Sequence, residues 1–81
     1  MQIVWDEPKR IANIAKHGID FAEIDEVFFQ SSIVRPAKFG RFSAIGWHSG
    51  IIAVIFVALG SEGISIISAR PANRKERSMA Q

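Results

Sequence analysis

The sequence contains no cysteine, which excludes disulfide stapling, thiolate zinc sites and cysteine nucleophiles together and leaves the redox compartment unreadable. Its long apolar run, Ile51–Leu59, stops at Gly60 after nine residues, whereas a membrane-spanning helix needs about 20. The run reads as a buried strand, and no membrane partner is expected. With only 3 prolines and 6 glycines, no stretch is long or flexible enough to be a linker, and no repeat is visible. One continuous domain over residues 1–81 is the expectation. The opening MQIVWDEPKR has no apolar run behind a basic start, so a secretory signal is not expected and the cytoplasm is the default location. No HExxH, EF-hand or P-loop spacing occurs, and Asp20, Glu23, Asp25 and Glu26 read as a solvated helix face. Neither a metal nor a cofactor is expected.

Apolar residues, in contrast, are plentiful. Of the 81 residues 48% are hydrophobic and 22% charged, a globular balance, and a chain this short has to draw its stability from a single core. The net charge of +2 conceals an asymmetry. Residues 1–34 hold three basic groups (Lys9, Arg10, Lys16) against six acidic ones. Residues 35–81 hold seven (Arg35, Lys38, Arg41, Arg70, Arg74, Lys75, Arg77) against only Glu62 and Glu76. Five of those seven are arginine, whose planar fork suits phosphate oxygens. That basic half suggests a polyanion partner, although charge alone does not specify which.

Patterning predicts an α+β order. Ile3, Val4 and Trp5 suggest a first strand over Gln2 to Trp5. Asp6 is a cap, Pro8 suits a first helical turn, and Ile11, Ile14 and Ala15 recur at helical spacing until Lys16-His17-Gly18, giving a helix over about residues 7–17. Asp20 with Glu23 has capping-box spacing, and Phe21, Ile24, Val27 and Phe28 form the apolar face of a second helix ending near Gln30. Four strands are then expected: Ile33 to Arg35, Arg41 to His48, Ile51 to Leu59 and Ile64 to Ala69. The short links at Ser49-Gly50 and Gly60 to Gly63 favour an antiparallel meander, since parallel crossovers need a dozen residues or more. Pro71 to Gln81 suits a short basic helix opened by the proline.

Among residues able to carry chemistry, His17 reads either as a helix-end residue favoured by the dipole or as a surface acid or base. His48, beside a turn, is a weaker candidate. Arg70 ends an apolar strand directly before Pro71, where a rigid element can aim a side chain. Arg74 and Arg77 share one face of a helix that begins at Pro71. Together the three arginines either converge on a phosphodiester or form a solvated basic tail. Arg41 opens an alternating strand, with Ser43, Ile45 and Trp47 on its side and Phe42, Ala44, Gly46 and His48 on the other. Trp5 and Trp47 are read as core rather than as base-stacking platforms.

Trp5-Asp6, Lys9, Asn13, Lys16-His17-Gly18-Ile19, Phe21 and Val27-Phe28 resemble the N-terminal half of the BrnT toxin family. Arg41-Phe42, Ala44-Ile45-Gly46, Ile66-Ile67-Ser68-Ala69-Arg70, Ala72, Arg74 and Glu76-Arg77 resemble its C-terminal half, in the same order. The resemblance implies a RelE-like α+β fold and a type II toxin, a metal-independent ribonuclease that cuts RNA and arrests growth. It also implies a cognate BrnA-type antitoxin that neutralises it, in a complex such as a heterotetramer that represses its own operon through the antitoxin's DNA-binding domain. Lys16, His17, Arg41, Arg70, Arg74 and Arg77 match the family's basic positions. On that reading a ribose 2′-hydroxyl attacks the adjacent phosphate, His17, Arg41 and Arg70 act at the reacting centre, and Lys16, Arg74 and Arg77 hold RNA. The chain departs from the family pattern by having Val57 to Leu59 and Ser65 where arginines are usual, and by having no tyrosine. A second reading therefore stands beside the first: a catalytically degenerate module that retains antitoxin binding for assembly and repression.

Overall fold

In the computed structural model, which describes residues 1–80, the chain opens with strand β1 (Gln2–Trp5). Asp6 then accepts the Lys9 backbone N–H and starts helix α1 (Glu7–His17). Gly18, at φ +71°, takes the left-handed conformation that ends it and returns its N–H to the Ile14 carbonyl. The expected boundaries hold, but the face does not. Ile11 is 57% exposed and Ile14 is also exposed, while Asn13 is buried and Arg10 and His17 are half-buried.

The reason lies in strand β5 (Gly63–Pro71), against which α1 packs. Strand β1 runs parallel to β5 only as far as Ile66, so the next stretch of β5 has no strand along that edge. The buried Asn13 amide takes the strand's place. Its Oδ1 accepts the Ala69 N–H at 3.1 Å, and its Nδ2 donates to the Ala69 and Ile19 carbonyls, each at 2.9 Å. A polar residue at that helical position satisfies backbone groups that an isoleucine would leave unpaired.

The single second helix is corrected to two pieces. Asp20 accepts the Ala22 N–H and opens a 3-10 turn over Phe21–Glu23, and Asp25 accepts the Phe28 N–H and opens helix α2 (Glu26–Ser31). Two capping aspartates five residues apart start two helices, because each competes for the N–H groups that a continuous helix needs. Phe21, Ile24 and Phe28 are buried as expected, whereas Val27 faces solvent. Glu23 does not close a capping box; its carboxylate lies 3.5 Å from His48 Nε2.

Strands β2 (Ile33–Pro36), β3 (Phe42–Trp47), β4 (Ile51–Leu59) and β5 form the expected antiparallel meander, and β1 adds to β5 to give a mixed sheet of order β1-β5-β4-β3-β2. A bulge leaves Ile67 without a partner, since Ile55 faces Ser68 and Phe56 faces Ile66. Ile66 and Ala69 thereby both reach the core, where they meet Ala44, Val54, Phe21 and Phe28. Gly46 sits under Phe28, whose ring would lie 3.0 Å from any Cβ placed there.

The opposite face of the sheet carries Ser43, Ile45, Ile55 and Arg70 beneath helix α3 (Arg74–Ala80). This helix is corrected too. The strand continues through Pro71, and the helix starts after Asn73, whose Oδ1 accepts the Glu76 N–H at 2.8 Å while the Asn73 N–H donates to Glu76 Oε1 at 2.9 Å. A reciprocal capping box is the stronger start signal, and a strand end tolerates proline. Gln81, the last residue of the expected helix, lies outside the described residues. No helix among them is long and apolar enough to cross a membrane.

Candidate functional site

Arg70 does not stand free at the end of β5. Its fork grips both oxygens of Glu76, Nη1 to Oε1 at 2.7 Å and Nη2 to Oε2 at 3.0 Å, with the Glu76 side chain 12% exposed. The guanidinium holds the Glu76 carboxyl below its ordinary range, with help from the Asn73 backbone N–H and against the opposing effect of burial. Glu76 in turn raises the Arg70 pKa. Both groups are therefore charged at neutral pH, and the pair fastens the first turn of α3 to the sheet.

Around this pair the sheet and helix enclose a cleft of about 340 Å³. Arg35 from β2, Lys38 from the β2–β3 turn, Arg70 from β5 and Lys75 from α3 line it. Ser43 is on its wall, with a buried Oγ that has no hydrogen-bond partner among the described residues. Buried hydroxyls are ordinarily satisfied. Arg35 Nη1 also lies 3.2 Å from Met79 Sδ, across from α3. Because Glu76 and Arg70 neutralise each other, Arg35, Lys38 and Lys75 leave the cleft positive. Such a site holds an anion by charge and by guanidinium and ammonium donors, with the Ser43 Oγ beneath its surface. No histidine lines it, and its one carboxylate is already taken at both oxygens; among the described residues no three His, Asp or Glu side chains gather as a metal site would require.

Of the residues proposed from sequence, only Arg70 lines the cleft. Arg41 lies just past the β2–β3 turn, where its N–H donates to the Lys38 carbonyl and its carbonyl accepts the Ala37 N–H. Arg74 is exposed on the first turn of α3, and Arg77 folds back to donate to the Ala72 carbonyl at 3.0 Å. Lys16 and His17 end α1 outside the cleft. Trp5 packs partly buried against the core, whereas Trp47, expected there too, is 73% exposed.

Arg35, Lys38, Lys75 and Ser43 were not singled out by sequence reasoning. The signal for two of them is the β2–β3 register, which puts Arg35 directly across from Ser43, and that register is not legible before the turn is known. The two positions where the family usually has arginine lie elsewhere: Leu59 pairs with Gly63, and Ser65 pairs with Val4 and Val57. Neither lines the cleft. A larger depression of about 630 Å³ at the β4–β5 turn has Glu62 as its only charged side chain and offers no cation side chain to a polyanion.

Comparison with known proteins agrees with these features. A family model described as "Ribonuclease toxin, BrnT, of type II toxin-antitoxin system" matches residues 5–76. The crystal structure of the Brucella abortus ribonuclease toxin BrnT is similar to this chain at 54% identity, with a TM-score of 0.85, covering 91% of this chain and 99% of that one. Among curated proteins there is no match.

Proposed function

The chain belongs to the BrnT family, the ribonuclease toxins of type II toxin-antitoxin systems, and on that premise we propose that it cuts RNA in the basic cleft beneath α3 without a metal ion. The observation that carries this reading is the gathering of Arg35, Lys38 and Lys75 around one cleft, none of them paired with a carboxylate among the described residues. A scissile phosphodiester fits that donor set. The 2′-hydroxyl oxygen attacks the adjacent phosphorus as its proton passes to solvent water, the P–O5′ bond breaks, and the products are a 2′,3′-cyclic phosphate and a free 5′-hydroxyl. The cations stabilise the added negative charge of the phosphorane, and a lysine ammonium supplies the proton to the leaving oxygen. Divalent ions want free carboxylate oxygens, and the cleft has none to give. Arg41, three residues after the cleft residue Lys38, and Arg74, beside the cleft residue Lys75, extend the phosphate track, with Arg77 and Lys16 as further RNA contacts. His17 is the remaining proton-transfer candidate where RNA reaches the end of α1.

In the same reading residues 1–81 act as one RelE-like domain in the cytoplasm. A BrnA-type, DNA-binding antitoxin covers the cleft in a heterotetramer that represses the operon. A second reading, the degenerate antitoxin-binding module, is favoured by one observation: the arginine best placed at a strand end is already held by Glu76.

The deciding experiment incubates the antitoxin-free protein with end-labelled RNA in EDTA. Cleavage with cyclic-phosphate ends is expected, falling about 100-fold or more in the Arg35→Ala/Lys75→Ala double variant. Both side chains are at the surface, so the fold survives. Intact RNA with the unmodified, folded protein, beside retained antitoxin binding, selects the second reading.

A further inference from the structure

The β2–β3 turn carries one aromatic ring where burial does not explain it. Phe39 is 88% exposed, packs into no core cluster, and stands at φ +62°, a left-handed backbone that bulky L residues avoid. Gly40, which follows it, has φ +71°, so the turn needs two left-handed residues in a row and fills only one of them with glycine. The turn itself is tightly closed: the Ala37 N–H donates to the Arg41 carbonyl at 2.8 Å, and the Arg41 N–H donates to the Lys38 carbonyl at 3.3 Å. A strained backbone holding an apolar ring out in water is a combination that folding alone disfavours, and strain of this kind collects at binding sites.

The position gives the ring a use. Ala37 and Lys38 of the same turn line the basic cleft, and Arg41 follows directly. An exposed aromatic residue between two cations in the chain, directly after a residue that lines a site suited to phosphates, matches the pattern by which proteins hold single-stranded nucleic acid: cations on the backbone, a ring against the base. We infer that Phe39 is a base-stacking platform that receives a nucleobase of the RNA lying in the cleft. This rests on the cleft reading of the preceding subsection and adds a positioning residue to it. Because every base has a π-face, the platform fixes where the strand lies without dictating which base is cut. The flanking positive charge favours RNA over an apolar protein surface as its occupant.

The test uses the full antitoxin-free chain and a mixed-sequence RNA oligonucleotide with 2′-O-methyl groups throughout, which lacks the attacking hydroxyl and stays intact while its affinity is read by fluorescence anisotropy. Phe39→Asn is the central variant, since asparagine tolerates the left-handed conformation and removes the ring. The expected result is affinity weakened by about 5- to 100-fold with an unchanged salt dependence, thermal stability equal to or above that of the unmodified protein, and affinity restored in Phe39→Trp. On cleavable RNA, KM rises with the affinity loss. Lys75→Ala, which loses a phosphate contact, reduces the salt dependence instead. Phe39→Asn binding as tightly as the unmodified protein, while Lys75→Ala weakens, overturns the stacking role and leaves the cleft reading intact. No weakening in any variant overturns both. Loss of antitoxin binding in Phe39→Asn with RNA affinity intact makes the ring a protein contact and overturns the proposal.

Discussion

Single residues set the terms of this site, and Glu76 shows how. Its carboxylate accepts from Arg70 and from the Asn73 N–H, while its own N–H is capped by Asn73. The chain's one glutamate in α3 thus joins a strand end, a helix start and the wall of the cleft. Its pKa is lowered in the folded protein, chiefly by the hydrogen bond from Arg70. The stabilisation is therefore fully present above the ordinary glutamate value of 4.5 and is lost as the pH falls through the depressed folded value. Glu76→Gln is expected to lower stability at neutral pH by about 1–2 kcal/mol, less than a fully buried pair would cost because the Arg70 side chain is 36% exposed. The variant's stability also flattens with pH on the acid side. Urea titrations from neutral pH down to below the carboxylate range measure both effects. For the same reason an Arg70→Ala variant that loses activity does not by itself place Arg70 at the reacting phosphate, since α3 loses its fastening.

Between elements, the decisive join is that of α1 to β5. An aliphatic stripe at Ile11, Ile14 and Ala15 suggests the wrong inner face, because helical periodicity records where apolar side chains recur and not what the neighbouring strand demands. Strand β5 demands hydrogen bonds, and Asn13 meets them. Asn13→Ala leaves the Ala69 N–H and carbonyl buried without partners. Calorimetric or denaturant unfolding is expected to show a loss of roughly 2–4 kcal/mol, with retention of the α3 side of the sheet and of the cleft. Asn13→Asp retains the acceptor for the Ala69 N–H but not the donor, and is expected to recover only part. The break between Phe21–Glu23 and α2 has a similar origin: Asp20 and Asp25 each cap a helix of their own, and of the two only Asp20 carries the capping-box spacing that marks a helix start in the sequence.

Taken as a whole, the molecule uses the two faces of one sheet differently. One face is dry and closed by Phe21, Ile24 and Phe28; the other is only partly covered by the seven-residue α3 and is lined with cations. Three of these, Arg35, Lys38 and Lys75, have no carboxylate partner among the described residues. Each phosphate neutralised on a single strand contributes about −0.7 to the slope of log affinity against log salt, so these three alone give a slope near −2, steeper where Arg41 and Arg74 also meet phosphates, and reduced in magnitude by about 0.7 in Lys75→Ala. Anisotropy titrations of the 2′-O-methyl oligonucleotide over a range of potassium chloride concentrations measure it. A slope near zero removes the cleft as a polyanion site.

The sequence by itself determined the element order, the antiparallel meander, the long central strand Ile51–Leu59 and the basic C-terminal half, because alternation, caps and short links are local signals. It also carried the family, through short motifs spread along the whole chain. The tertiary structure alone decided the parallel pairing of β1 with β5, the partners of Arg70 and Asn13, and the gathering of Arg35, Lys38 and Lys75 with Ser43. Apart from the Arg70–Glu76 pair, six residues apart across a strand end and a helix start, these join residues far apart in the chain, Asn13 to Ala69 and Arg35 to Lys75, and are set by strand register and by what the backbone leaves unsatisfied. Neither quantity exists until the sheet is formed.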